Sequence, residues 1–167
     1  MQALQDIEAI IFDLDGTLID SMWIWKQIDI DFLEKRGILL PNDLQKDIEG
    51  MSFTETANYF INRFDLKESL ETIQSEWNEM AKNFYRSHIK LKDMVMPLIE
   101  YANAHQIKLG IGTSNSKELL NEVVMAHGIH HYFKSMRTSC EVEKGKPSPD
   151  IFLKVAEDLG VTPERCL

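Results

Sequence analysis

The chain is predicted to adopt an α/β fold, a parallel sheet wrapped by helices and interrupted early by an all-helical insertion. Three features of the sequence point to it. The apolar, β-rich run over 7–13 halts at Asp13-Leu14-Asp15-Gly16, as a buried parallel strand ending in a turn does. From 18 to 90 the apolar residues recur only at helical spacing. From 91 onward helical and strand patterns alternate, the mark of parallel strands joined by helical crossovers.

Within 18–90, Trp25, Ile28 and Phe32 share one face of a first helix that ends near Gly37. Ser52 and Glu55 form a capping box for a second helix running to about Phe64. Leu70, Ile73, Trp77, Met80 and Phe84 alternate by three and four, a helix with one apolar stripe. In the second part, a helix through Pro97 to His105 leads into a buried strand over 107–113. Ser114-Asn115-Ser116 opens a helix carrying Leu119, Leu120, Val123 and Val124, closed by Gly128 in a left-handed cap. A weaker strand covers 133–138, and Ser148 with Pro149 marks the start of a last helix that ends at Gly160. Thr162-Pro163-Glu164 makes a turn, and Cys166-Leu167 begin a further strand. The expected organisation is a Rossmann-like core from 1–17 and 91–167, with 18–90 as a helical cap. The cap sits over the sheet's carboxyl edge, where open α/β sheets bind ligands.

Of the 167 residues 44% are hydrophobic, enough for one domain with a modest insertion. The formal charge of −9 disfavours nucleic acid, which needs a basic surface, but leaves room for a small phosphate ester at one local pocket. No run is apolar long enough to span a bilayer, and residues 1–8 lack the basic and apolar regions of a signal peptide. The expectation is a cytoplasmic protein without membrane or nucleic-acid partners. Cys140 and Cys166 are expected to be reduced, and His127, His130 and His131 belong to a helix end, with no zinc-site spacing.

Three groups stand where strands end or helices begin. Asp13 and Asp15, two apart before a glycine turn, can point into one site as an ionised nucleophile and a proton donor. Ser114 and Asn115 offer a hydroxyl and free backbone N–H groups at a strand end, a seat for phosphate. Lys146 precedes a proline-marked helix start. Singly, each has a plainer explanation: a loop turn, a helix cap and a solvated lysine.

In combination and order they resemble the haloacid dehalogenase superfamily, and most closely its phosphatase and β-phosphoglucomutase branch with a helical cap. The likeness rests on Asp13-Leu14-Asp15-Gly16-Thr17-Leu18 after an apolar strand, Ser114 ending a later strand, and Lys146-Pro147-Ser148-Pro149-Asp150. By that resemblance Asp13 attacks phosphorus and forms an aspartyl-phosphate. Asp15 protonates the departing oxygen and then activates water, Thr17 lies in the turn that orients Asp15, and Ser114 and the Asn115 amide bind phosphoryl oxygens. Lys146 offsets charge, and Mg²⁺ is held by Asp13 and the Asp15 carbonyl. Dehalogenases of the superfamily lack the second acid, so Asp15 favours phosphate-ester chemistry.

Two departures from the pattern bear on function. Where the mutase branch uses a histidine and an arginine in the cap, this chain has Trp25 and Phe53, which favours hydrolysis of a small phosphorylated metabolite over transfer to a sugar. With Trp23, these residues are expected either to line an apolar substrate pocket or to pack the cap. The family's fourth motif, an acidic pair after the next strand, is missing by Leu167, so the sheet is expected to be incomplete at its carboxyl end. An open edge beside the first strand would then favour self-association. The expected activity is a Mg²⁺-dependent phosphatase; the alternatives are a phosphosugar mutase, or a non-catalytic phosphate-binding protein if the chain is naturally this short.

Overall fold

The computed structural model describes residues 6–87 and 89–167, apart from the side chains of 86 and 87. Residues 1–5, part of the polar opening considered above, lie outside the described residues. Three strands, β1 (Ala9–Phe12), β2 (Lys108–Thr113) and β3 (Phe133–Thr138), form a parallel sheet in the order β1-β2-β3. Ile11 pairs with Gly110 and Phe12 with Ile111, so β1 and β2 end side by side. Cys166 and Leu167 extend along the other side of β1: Ala9 bridges Cys166 in parallel, and Leu167 N–H donates to the Ala9 carbonyl at 2.9 Å. The chain's last residues thus do begin a strand beside β1.

Both faces of the sheet are covered, which is why its strands read as near-continuous apolar runs. Ile10, Phe12, Leu109 and Ile111 belong to the main core, with Ile99 and Ala102 of α5 (Val95–Ala104) and Leu119, Leu120, Val123 and Val124 of α6 (Lys117–Ala126). The opposite face carries Ala9 and Ile11 against Val155 and Leu159 of α7 (Asp150–Leu159). There β2 is flattened by glycine: a Cβ on Gly110 would lie 2.4 Å from Val155 Cγ1. The glycine lets α7 ride directly on the strand. Two boundaries differ from expectation. The α6 N-cap is Ser116, which accepts from Leu119 N–H, and the α7 cap position is Pro149, with Ser148 Oγ donating instead to Asp150. Proline lacks an N–H to give up, so it fits just outside the first turn as well as inside it.

Among the described residues, four helices stand between β1 and α5: α1 (Met22–Glu34), the short α2 (Leu44–Asp47), α3 (Phe53–Phe64) and α4 (Leu70–Ser87). The chain leaves and re-enters the core through one paired neck. Asp20 N–H donates to Lys90 O at 3.0 Å, Lys92 N–H donates to Leu18 O at 3.0 Å, and Ile19 bridges Leu91 antiparallel. The helical unit packs on an aromatic cluster in which Trp77 meets Phe60, Phe32 and Phe53 with ring centroids 4.9, 5.4 and 5.7 Å away. The capping box at Ser52 and Glu55 is present. The fully buried stripe of α4 is Ile73, Trp77, Ala81 and Tyr85, while Leu70, Met80 and Phe84 are half-buried. The face is shifted because α4 packs on α1 and α3 on one side and on α6 of the core on the other.

Asp29 is a buried acid on α1 whose Oδ2 accepts from Gln45 Nε2 at 2.6 Å. Burial pushes its carboxyl up to about 6, against a smaller opposing effect of the Gln45 bond. The folded protein therefore keeps this proton up to about pH 6, whereas the unfolded chain releases it near 3.8. Asp29 favours the folded state below about pH 4 and loses that contribution, on the order of 2–3 kcal/mol, as pH rises to about 6. Asp29→Asn should raise the melting temperature at pH 7.5 and leave it unchanged near pH 4; thermal melts across that range measure the difference.

Candidate active site

The carboxyl ends of β1 and β2 bring two of the three groups together directly. Asp13 follows β1, and its Oδ1 accepts from Lys146 Nζ at 2.7 Å and from Leu14 N–H at 2.8 Å. Lys146 lies more than 130 positions away in sequence, in the loop before α7, and its ammonium also sits 5.0 Å from the Phe152 ring centroid. With Oδ1 so held, Oδ2 is the carboxylate oxygen left for chemistry. Asp15 is joined to the second group: Asn115 Nδ2 donates to Asp15 Oδ2 at 2.9 Å.

The placement of the other expected residues is mixed. The Asn115 backbone N–H donates to Thr113 Oγ1 at 3.1 Å, so here it is turned into its own loop. Ser114 Oγ lies 3.5 Å from Ser139 Oγ, and its carbonyl accepts from Phe53 N–H at 2.9 Å. Thr17 is exposed and holds the turn through its backbone, its N–H on the Leu14 carbonyl at 3.3 Å.

Asp15 carries three more donors, all from outside the sheet. Ser21 Oγ, Tyr85 OH and Trp25 Nε1 reach its Oδ1 at 2.6, 2.8 and 3.2 Å. Tyr85 OH also accepts from Asn115 Nδ2 at 3.0 Å, which closes a triangle of phenol, amide and carboxylate. Burial, and then the neighbouring Asp15 charge, push the Tyr85 phenol well above its ordinary value, so it remains a donor. Trp25 and Tyr85 have ring centroids 6.4 Å apart, and Phe53 stands edge-on to Trp25 at 6.1 Å.

The helices also close on the site through backbone. Gly50, at φ +81°, brings the loop after α2 against the Lys146 carbonyl, which a Cβ there would meet at 2.8 Å. A cleft of about 370 Å³ is lined by Phe53, Gln74, Asn78, Ser116, Lys117, Thr138, Cys140 and Glu141. A second groove of about 320 Å³, between Ile11 and Phe152, is apolar and holds none of these polar groups.

A hard divalent cation takes oxygen ligands. The turn after β1 offers the Asp13 carboxylate and the Asp15 carbonyl, while three of the turn's N–H groups (Thr17, Leu18, Ile19) converge on the Leu14 carbonyl. That donor set fits Mg²⁺, with water and a substrate phosphate supplying the remaining oxygens.

The profile of a family described as haloacid dehalogenase-like hydrolase matches residues 10–167. The chain belongs to this family, in its phosphatase branch. It is similar to the phosphorylated carbohydrates phosphatase of Thermotoga maritima, 30% identical over 159 residues that cover 95% of this chain and 74% of that protein. Among solved structures, CbbY from Rhodobacter sphaeroides in complex with phosphate superposes with a TM-score of 0.82 at 22% identity, over 96% of this chain and 76% of the other. β-Phosphoglucomutase from Clostridium difficile gives 0.81 at 25% identity, over 96% and 74%. The α/β fold with its parallel sheet is therefore that of the haloacid dehalogenase-like hydrolases.

Three residues at the site escaped sequence reasoning. Trp25 was noted for what it replaces, yet nothing in the sequence tied it to Asp15. Ser21 stood before a helix, where a cap would be its ordinary use, but its hydroxyl makes no cap bond and turns to Asp15. Tyr85 lay one residue beyond the stripe read for α4; the spacing Ile73-Trp77-Ala81-Tyr85 was the available signal. Of the cap aromatics, Trp23 is exposed, edge-on to Phe84, while Phe53 both packs on Trp77 and lines the cleft.

In this haloacid dehalogenase-like hydrolase, Lys146→Ala should lower phosphate-ester turnover about 100-fold, the scale of losing one fixed stabilising group at a reacting centre. The melting temperature should stay within a few degrees, because the ammonium contacts the edge of the site. Steady-state phosphate release and thermal melts check both parts.

Proposed function

We propose that the chain is a Mg²⁺-dependent phosphatase that hydrolyses a small phosphomonoester through an aspartyl-phosphate on Asp13. The observation that carries this reading is the Asp13 carboxylate at a strand end, anchored through Oδ1 by Lys146, with a second carboxylate two residues on. A nucleophilic carboxylate approaching an anionic phosphate needs fixed positive charge and donors around it, and Lys146 supplies part of that charge.

Asp13 Oδ2 attacks phosphorus, and the bond to the ester oxygen breaks as Asp15 gives that oxygen a proton. Water then attacks the aspartyl-phosphate while Asp15 takes a proton from it, and the bond from Asp13 to phosphorus breaks, freeing inorganic phosphate and restoring the Asp13 carboxylate and the protonated Asp15. The Ser114 hydroxyl and loop N–H groups hold phosphoryl oxygens, and Thr17 keeps the turn that carries Asp15. Asp13 and the Asp15 carbonyl would hold Mg²⁺, which would supply positive charge to offset that of the phosphoryl group.

The leaving group is assigned to the cleft lined by Phe53, the amides of Gln74 and Asn78, the hydroxyls of Ser116 and Thr138, the Cys140 thiol, and the Lys117 ammonium with the Glu141 carboxylate. Such a lining suits a polyhydroxylated group, and the Thermotoga maritima relative, named for phosphorylated carbohydrates, supports the same class. Trp25 and Phe53, which cannot serve as proton acceptor or second phosphate clamp, support hydrolysis over a mutase cycle.

The test is a panel with Mg²⁺: fructose 1-phosphate, glucose 6-phosphate, sorbitol 6-phosphate, glycerol 1-phosphate and β-glucose 1-phosphate. Free phosphate should accumulate from at least one of them, and Asp13→Asn should abolish its release without loss of fold. Retained turnover in that variant would remove Asp13 from its role. For β-glucose 1-phosphate, hydrolysis should outrun isomerisation to the 6-phosphate; the reverse order, read by coupled assay, would favour the mutase.

A further inference from the structure

The helical cap does not merely cover Asp15 but holds it. Two side chains from different cap helices, Trp25 on α1 and Tyr85 on α4, donate to the same oxygen of a carboxylate that belongs to the core. We propose that Tyr85 and Trp25 are positioning residues for Asp15, so that the aim of the acid/base carboxylate is set by the seating of the cap.

The plainer account is that a buried phenol and a buried indole took the nearest acceptor. The cap itself argues against it for the indole. Trp77 Nε1, fully enclosed in the same cap, has no hydrogen-bond partner, so this packing tolerates an unbonded indole N–H. A need for satisfaction does not by itself bring Trp25 to Asp15. Tyr85 ends a stripe of Ile73, Trp77 and Ala81, where a phenylalanine would fill the same volume and require no partner. Its hydroxyl instead sits between Asp15 Oδ1 and Asn115 Nδ2, with Asn115 on Asp15 Oδ2, so both oxygens of the carboxylate are fixed. Three donors on one oxygen, Ser21 Oγ beside the two cap groups, and an amide on the other define a plane as well as a position. The Trp25 and Tyr85 rings also pack on each other, so displacing one disturbs the other's hold.

The proposal rests on the phosphatase reading, because the aim of Asp15 matters where it must reach a departing oxygen. An alkyl phosphate needs that proton as its P–O bond breaks and the bond from Asp13 Oδ2 to phosphorus forms. A p-nitrophenyl phosphate does not, since p-nitrophenolate leaves unprotonated. The measurement is therefore kcat/KM, which stops at departure of the leaving group, for Tyr85→Phe and Trp25→Phe on both substrate types. On the alkyl phosphate turned over fastest in the panel above, each variant should fall at least about tenfold, part of the 10²–10⁴ a general acid contributes. On p-nitrophenyl phosphate the fall should be below about threefold. Equal losses on both substrates, or none on either, would overturn the proposal, since a merely structural role does not discriminate between leaving groups. A wild-type protein that releases no phosphate from any ester would defeat the phosphatase reading instead. The positioning itself is read without turnover, from a crystal structure of Tyr85→Phe. Asp15 should have left Asn115 Nδ2; a carboxylate still seated there would overturn the proposal.

Discussion

The neck at Leu18–Asp20 and Lys90–Lys92 is the constraint on which the rest of the site depends. Both crossings of the chain are hydrogen-bonded to each other, which ties the helices between them to the core beside the carboxyl end of β1. The turn bearing Asp13 and Asp15 lies immediately before the first crossing. The closing contacts then follow: Gly50 against the Lys146 carbonyl, Phe53 N–H on Ser114 O, and Trp25 and Tyr85 on Asp15. A single unpaired crossing would leave the helices free to swing about one peptide.

The two carboxylates are held by different parts of the molecule. Asp13 is gripped by the core alone, through Lys146 and the Leu14 N–H, whereas most donors to Asp15 come from the neck and cap. This division suits the roles proposed for them. A nucleophile must stay fixed relative to the phosphate seat on the sheet. An acid/base group must meet the leaving group, which the proposed function assigns to the cleft beneath the helices. The apolar core runs without interruption from the sheet into the cap, through residues such as Phe12, Leu18 and Ile89 up to Phe53 and Trp77. Packing therefore favours the seated arrangement in which both sets of contacts are made.

Against a net charge of −9, Lys146 stands on Asp13 at the carboxyl edge of the sheet, and Lys117 lines the cleft with Glu141 3.9 Å away. Overall charge speaks against extended polyanions and says little about one phosphate in one pocket.

Much of the architecture was legible in the chain, since short-range patterns encode it. The apolar run before Asp13, the strand over 107–113, the capping box at Ser52 and Glu55 and the left-handed glycine ending α7 each express a local backbone preference or a burial period. The order of Asp13, Asp15, Ser114 and Lys146 was likewise readable, because parallel strands deliver residues at their carboxyl ends to one edge. What the sequence could not contain was which side chains meet across the cap–core boundary. Tyr85 and Asp15 are 70 positions apart, and Tyr85 and Asn115 are 30 apart. Their contact depends on the rotation of α4, which packs on α1, α3 and α6 at once. That rotation moved the buried face from Phe84 to Tyr85. A helix's hydrophobic period fixes its stripe only to within about one residue when two faces are covered. Tertiary packing chose between those neighbours, and with that choice put a hydroxyl on the acid.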